Sequence, residues 1–195
     1  MSINFSDLIY IVDDTLTPEF CEHVIKKFES DDRKSDGRIG SSDGPRVDKS
    51  IKDSIDLGIS RIDKWSEEDS VFFNSLNKHL SDYLNKELFS SNNIEVLERF
   101  SNLDDTGYQI QKTTPGGGYT WHTDSMFGYN RMRVLTFIWY LNDIEEDGYT
   151  EFMDGTKVQP KTGRFCLFPA TWEYHHRGYP PKSQTKYICT GWLHK

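Results

Sequence analysis

The run "RVLTFIWYL", residues 133–141, is apolar on both faces, and few places in a folded chain accept such a segment. Side chains alternate along an extended strand, so Val134, Thr136, Ile138 and Tyr140 point one way and Leu135, Phe137 and Trp139 the other. Both sets need cover. The run therefore predicts a central strand that lines an interior on one side and is roofed by helices on the other. Upstream the chain supplies the roof. Thr17 can cap a helix that has Pro18 at its first position, and Phe20, Val24 and Phe28 recur every fourth residue with Cys21 and Ile25 beside them, which predicts a helix over 17–29. A second begins near Ser66, where Glu67, Glu68 and Asp69 suit the positive end of the helix dipole and Phe72, Leu76, Leu80, Leu84 and Leu88 form the apolar stripe.

Beyond residue 100 the character changes to short β-branched and aromatic runs, punctuated by Gly, Pro and Asp roughly every 8–12 residues. Candidate strands lie near Tyr108–Lys112, Tyr119–Asp124, Arg133–Leu141, Thr150–Met153, Thr156–Gln159, Arg164–Phe168, Tyr174–His176 and Lys186–Leu193. Eight short strands fit a double-sheet jelly roll. The fold expected is mainly β with flanking α-helices (α+β): a double-stranded β-helix, cupin-like, supported by N-terminal helices. One domain spans 1–195, with 1–100 as helical support and loop and 101–195 as the core. Between the helices, "SDDRKSDGRIGSSDGPRVDKS" reads as a long polar loop that could cover a groove.

A formal net charge of −8 works against any grip on polyanions, so neither nucleic acid nor an anionic membrane is an expected partner. The apolar run Val134–Leu141 falls far short of the roughly 20 residues that a membrane helix needs. The opening "MSINFSDLIYIVDD" has no basic leader, and Cys21, Cys166 and Cys189 are odd in number and scattered. A soluble, cytoplasmic protein is the expectation.

Chemistry concentrates in "PGGGYTWHTDSM", residues 115–126. Its glycines lack a following G-K-[ST] and precede a strand, so they make a turn and not a phosphate cradle. His122 and Asp124 share a strand face, one two-residue step of roughly 6.6–6.8 Å apart. Both could bind one ion. A third ligand comes from "FPATWEYHHRGYPPKSQTKY", where His175 and His176 face opposite ways and only one can reach the ion. Two histidines and a carboxylate suit non-haem Fe(II) with open positions, and zinc accepts the same donors.

In order along the chain stand "PGGGYTWHTD", "RVLTFIWYLND", "DGYTEF", "QPKTGRFCLFP" and "HRGYPPKSQTKYICTGW". Over roughly residues 107–193 this resembles the iron(II)- and 2-oxoglutarate-dependent oxygenases, most closely their prolyl 4-hydroxylase-like branch. The resemblance implies Fe(II), 2-oxoglutarate and O₂, with room for ascorbate. It also implies a dioxygenase that hydroxylates a substrate, a peptidyl proline first among the candidates, and releases succinate and CO₂. Other protein side chains and free small molecules are the alternative substrates. The family's basic residue stands ten positions after the distal histidine. Counting back from Lys186 therefore assigns the metal to His122, Asp124 and His176, and leaves His175 beside the mouth.

Lys186 resembles the residue that pairs with the distal carboxylate of 2-oxoglutarate. Its strand face, Lys186, Ile188, Thr190 and Trp192, points it into the barrel, where a charge needs an opposite partner. Tyr140 resembles the tyrosine that bonds the same carboxylate, with Thr136 on the same face nearer the iron. Thr113 stands where many relatives have a co-substrate tyrosine, a contact that Tyr108 or Tyr119 would take over. Arg133 and Arg131 are placed near the mouth to meet substrate, and Trp192 and Trp121 wall the pocket. The family's nucleic-acid demethylases carry several arginines in their final strands, where this chain has the single Lys186. A non-catalytic metal-binding jelly roll and a zinc hydrolase remain as readings from other classes, and neither requires that buried lysine.

Overall fold

The computed structural model describes residues 4–41, 43–85, 102–128 and 131–195. Among the described residues two α-helices precede the β core. Helix α1, Pro18–Glu29, starts where the Thr17 hydroxyl accepts the Phe20 N–H at 3.2 Å, and buries Cys21, Val24 and Phe28. Helix α2, Ser66–Leu84, carries three acids in its first turn and buries Phe72, Leu76 and Tyr83. Leu80 and Leu84 pack on the same core, and Leu88 lies outside the described residues. No described helix is long and apolar enough to cross a membrane.

The strands are β1 Tyr10–Val12, β2 Ser35–Asp36, β3 Arg38–Ile39, β4 Arg46–Val47, β5 Ile55–Gly58, β6 Asp104–Asp105, β7 Gln109–Thr113, β8 Tyr119–His122, β9 Phe127–Gly128, β10 Arg131–Tyr140, β11 Thr150–Phe152, β12 Lys157–Val158, β13 Phe165–Pro169, β14 His176–Gly178 and β15 Lys186–His194. Among the described residues the major sheet runs β1-β13-β10-β15-β7-β5-β2, with β6 on β15 and β9 on β10. A minor sheet runs β12-β11-β14-β8, and β3 and β4 form a separate ribbon. The predicted mainly-β architecture with N-terminal helices is what forms, and all eight expected strands appear within a few residues of their sequence positions.

Strand β10 sits between β13 and β15 and is covered on both faces, as its composition demanded. Leu135, Phe137 and Trp139 pack with Phe28, Trp65 and Phe72 beneath the helices. Ile138 and Tyr140 face the minor sheet and pack with Phe152, Val158 and Phe168. Each fully buried side chain of this size contributes about 1.5–3 kcal/mol relative to exposure, so one layer fastens the helices to the major sheet and the other fastens the minor sheet to it.

Simple alternation fails at one end of β10. The register against β15 shifts between Arg133, opposite His194, and Leu135, opposite Leu193. An extra residue in one strand re-aims its neighbours. Val134, expected to face inward with Thr136, instead packs against the helix-side core, and Arg133 lines the interior.

The stretch expected to be a long polar loop holds three short strands, β2 to β4, and a fourth, β5, follows it before α2. Strand β5 extends the major sheet beside β7, Leu57 opposite Ile110. Lys52, Ser54 and Asp56 explain why polar residues are tolerated there: all three are buried, Lys52 Nζ lies 2.6 Å from Asp56, and the Ser54 hydroxyl donates to Asp56 at 2.8 Å. Two further bonds tie this segment to the β8 end, Thr120 N–H to Ile51 O and Asp53 N–H to Gly118 O.

Candidate active site

The glycine turn sets up the pairing that assembles the site. Gly116 has φ +84°, in the left-handed region, and a Cβ on Gly118 would lie 2.6 Å from the Gly178 carbonyl oxygen. With no side chain at 118, β8 closes onto β14 and brings His122 directly opposite His176. The His122 Nδ1 lies 2.8 Å from the Thr120 carbonyl and the His176 Nδ1 3.0 Å from the Tyr174 carbonyl. A carbonyl only accepts, so each Nδ1 carries the proton and each Nε2 presents a lone pair inward. Asp124 completes the group. Its carboxylate oxygens lie 3.7 Å from His122 Nε2 and 3.6 Å from His176 Nε2, and the donor atoms of the three residues all fall within 4.8 Å of one another.

Neighbours fix each donor. The Thr136 hydroxyl on β10 donates to Asp124 Oδ2 at 2.8 Å, the Tyr119 ring stacks on His122 at 3.5 Å between centroids, and Phe168 meets the His176 ring edge-on at 4.9 Å. Burial, reinforced by the neighbouring His176, pushes the His122 imidazole down to about 3. Burial works against the Asp124 charge, but the two histidines and the Thr136 hydroxyl outweigh it and hold the carboxyl below its usual range. A neutral imidazole and an ionised carboxylate are the forms that a divalent cation takes. The donor set therefore fits Fe(II), and zinc equally.

The triad opens into a cavity of about 910 Å³. On its wall Lys186 of β15 is only 4 % exposed, donates to the Gly148 carbonyl at 2.8 Å, and makes no ion pair with any described residue. Burial alone pushes its ammonium down to about 8. Three N–H donors with one carbonyl partner, buried in the cavity that holds the triad, fit a carboxylate-bearing co-substrate such as 2-oxoglutarate.

The other expected site residues divide. Thr136 lines the cavity with its hydroxyl committed to Asp124, and Tyr119 and Trp192 line it too. Tyr140 is wholly buried behind the wall and donates to Thr150 Oγ1 at 2.7 Å, so that Thr150, which does line the cavity, stands between it and the interior. Thr113 lies opposite Lys186 in the β7–β15 register. Tyr108 is in the helix-side core against Phe72 and Phe137, away from the cavity. Arg133 enters the cavity over the Trp192 ring at 3.6 Å, whereas Arg131 is exposed and pairs with Asp104 at 3.0 Å. His175 lines the cavity outside the donor group, with Nδ1 2.6 Å from the Trp172 carbonyl, and Trp121 is surface-exposed, with Arg177 over its ring. Sequence reasoning missed Thr150 as a wall residue, Gly148 as the carbonyl partner of Lys186, and Lys52 as a further wall residue. The first two sat inside the quoted "DGYTEF", but nothing local showed that Tyr140 would reach the interior only through Thr150.

Residues 108–194 match the model of the 2OG-Fe(II) oxygenase superfamily. A PKHD-type hydroxylase of Synechococcus sp. (strain CC9902) is 30% identical over 89 residues, which is 43% of this chain and 39% of that protein, so the match spans well under half of the curated relative. Among solved structures, a viral collagen prolyl hydroxylase of Paramecium Bursaria Chlorella virus-1 superposes with TM-score 0.64 at 20% identity, covering 96% of each chain. A Pseudomonas putida prolyl-4-hydroxylase gives 0.68 at 16%, covering 96% of this chain and 93% of that one. A Trichoplax adhaerens prolyl hydroxylase, solved with a hypoxia inducible factor peptide fragment, gives 0.70 at 19%, covering 95% and 83%. At these identities the superpositions carry the fold, while the family match covers the triad and Lys186 together. The likeness to the 2OG-Fe(II) oxygenase superfamily thus rests on residues 108–194, the β core that carries the triad and Lys186.

Proposed function

We propose that the protein is an Fe(II)- and 2-oxoglutarate-dependent dioxygenase that hydroxylates a peptidyl proline. The observation that carries the reading is the buried, carboxylate-free Lys186 in the same cavity as the His122–Asp124–His176 group. The triad alone suits zinc as well, but a hydrolase has no use for that lysine. His122, Asp124 and His176 would hold the metal, and Lys186, aided by the Thr150 hydroxyl that Tyr140 orients, would take the distal carboxylate of 2-oxoglutarate. Bound there, Fe(II) with 2-oxoglutarate and O₂ supplies the oxidation: one oxygen atom enters a substrate C–H bond as hydroxyl, the other enters succinate, and CO₂ leaves.

This chain's own residues do the positioning. Thr136 fixes the Asp124 carboxylate, the two carbonyl-bound Nδ1–H groups aim the imidazoles, and Tyr119, Phe152 and Phe168 exclude water around them. Proline as the substrate draws its support from the prolyl hydroxylases among the structural neighbours, one of them holding a peptide. The test incubates the iron-loaded protein with 2-oxoglutarate, O₂ and proline-containing peptides, with and without ascorbate, and follows succinate together with peptide mass. A gain of one oxygen on a proline, absent from His176→Ala, is expected. Succinate no greater than in that variant would refute the reading.

A further inference from the structure

We propose that the substrate of this site carries a carboxylate close to the carbon that is oxidised, and that Arg38 and Arg133 hold it. The inference rests on the hydroxylase reading above and names its substrate class. The chain is acidic overall, at −8, yet a single acidic side chain, Asp124, lines the cavity among the described residues, and it belongs to the metal group. Against it stand Arg38, Arg46, Lys52, Arg133 and Lys186. Three of these have assigned partners. Arg46 pairs with Asp48 at 3.0 Å, Lys52 pairs with Asp56 at 2.6 Å, and Lys186 is the co-substrate's. Arg38 and Arg133 make no side-chain hydrogen bond or ion pair with any described residue.

Those two guanidinium groups reach the cavity from different elements. Arg133 is turned inward by the β10 irregularity, and its guanidinium lies against the Trp192 ring, Cζ 3.6 Å from the centroid. Stacking occupies the face of the group and leaves its edge donors available. Arg38 comes from the β3–β4 ribbon, next to the buried Ile39. Burial works against the Arg133 charge, and Asp124 offsets this through space without a hydrogen bond, whereas Arg38 is exposed. A ligand carboxylate satisfies the Arg133 edge through two parallel hydrogen bonds, within reach of Arg38 on the same cavity wall. The basic wall also raises the local concentration of anions despite the opposite charge of the whole chain. A neutral substrate leaves the edge donors of the half-buried Arg133 unanswered. The carboxylate could come from an acidic residue beside the target in a peptide, or from a free carboxylic acid.

Calorimetry under anaerobic conditions, on protein loaded with Fe(II) and 2-oxoglutarate, distinguishes these sources with two matched pairs of probes. One pair is an end-blocked peptide with a central proline flanked by glutamates, and the same peptide with glutamines. The other is N-acetylproline and its amide. The acidic member of at least one pair should bind about tenfold or more tightly than its neutral partner, as expected for a charge-assisted bidentate contact. Which pair responds identifies the source. The preference should fall toward unity in R38Q/R133Q, and in the wild type it should shrink as salt is raised to about 0.5 M. Equal affinities within both pairs, a neutral preference, a preference that survives in the double variant, or no probe binding to protein that does bind 2-oxoglutarate would each overturn the proposal. Admitting O₂ and measuring succinate then judges the hydroxylase reading separately, because the affinities are read before any turnover.

Discussion

At Lys186 burial and charge oppose each other most strongly, and the conflict has a measurable sign. A base whose folded pKa lies below its unfolded one binds fewer protons when folded, so stability rises with pH between the two values. For Lys186 that window runs from about 8 up to the ordinary lysine value of 10.5. Below it the buried ammonium costs on the order of 3 kcal/mol. Lys186→Met should therefore stabilise the metal-free, co-substrate-free protein near pH 7 and lose most of that advantage by about pH 10.5. Urea unfolding of both proteins across this range checks the difference, and parallel pH profiles would contradict it. Much of the site was legible at this scale because its markers are local. His122 and Asp124 stand two residues apart and still meet, although β8 ends at His122 and Asp124 lies beyond it, and the ten residues from His176 to Lys186 join neighbouring parts of the cavity wall. Arg133 was not assigned to the interior because its direction depends on a register shift against β15, which no alternation pattern in β10 encodes.

At the scale of elements, the helices are clamps on the outer face of the sheet. Phe72 of α2 joins the two parts: its ring meets Phe20 of α1 at 5.5 Å, Tyr108 at 5.6 Å and Trp139 of β10 at 5.2 Å. Phe72→Ala should cost about 3–5 kcal/mol in chemical denaturation, since the cavity it leaves is bounded by strands that cannot collapse. The folded fraction should keep its 2-oxoglutarate affinity, because the site lies on the other face. Full loss of binding with retained stability would argue against this division. Both helices and all eight core strands could be read from periodicity, caps and turn residues. Strands β2 to β5 could not. They are two to four residues long, too short for a repeating pattern, and depend on partners far away in the chain, such as β7 for β5.

For the molecule as a whole, two sheets joined by one packed layer and backed by the helices through another place the His122–Asp124–His176 triad and a buried lysine in one cavity whose remaining charges are mostly basic. The fold fixes distances, and the charges choose what enters. If that arrangement is an oxygenase centre, metal and co-substrate must bind together and each must need its own residues. Anaerobic titration of the Fe(II)-loaded protein with 2-oxoglutarate, followed by visible absorption, tests this most directly. The wild type and His175→Ala should develop a saturable charge-transfer band. Lys186→Met should need at least about 100-fold more co-substrate, the loss of a desolvated charge pair, and His176→Ala should give no band at any concentration. A wild type without a band, or a His176→Ala variant that retains it, would contradict the account.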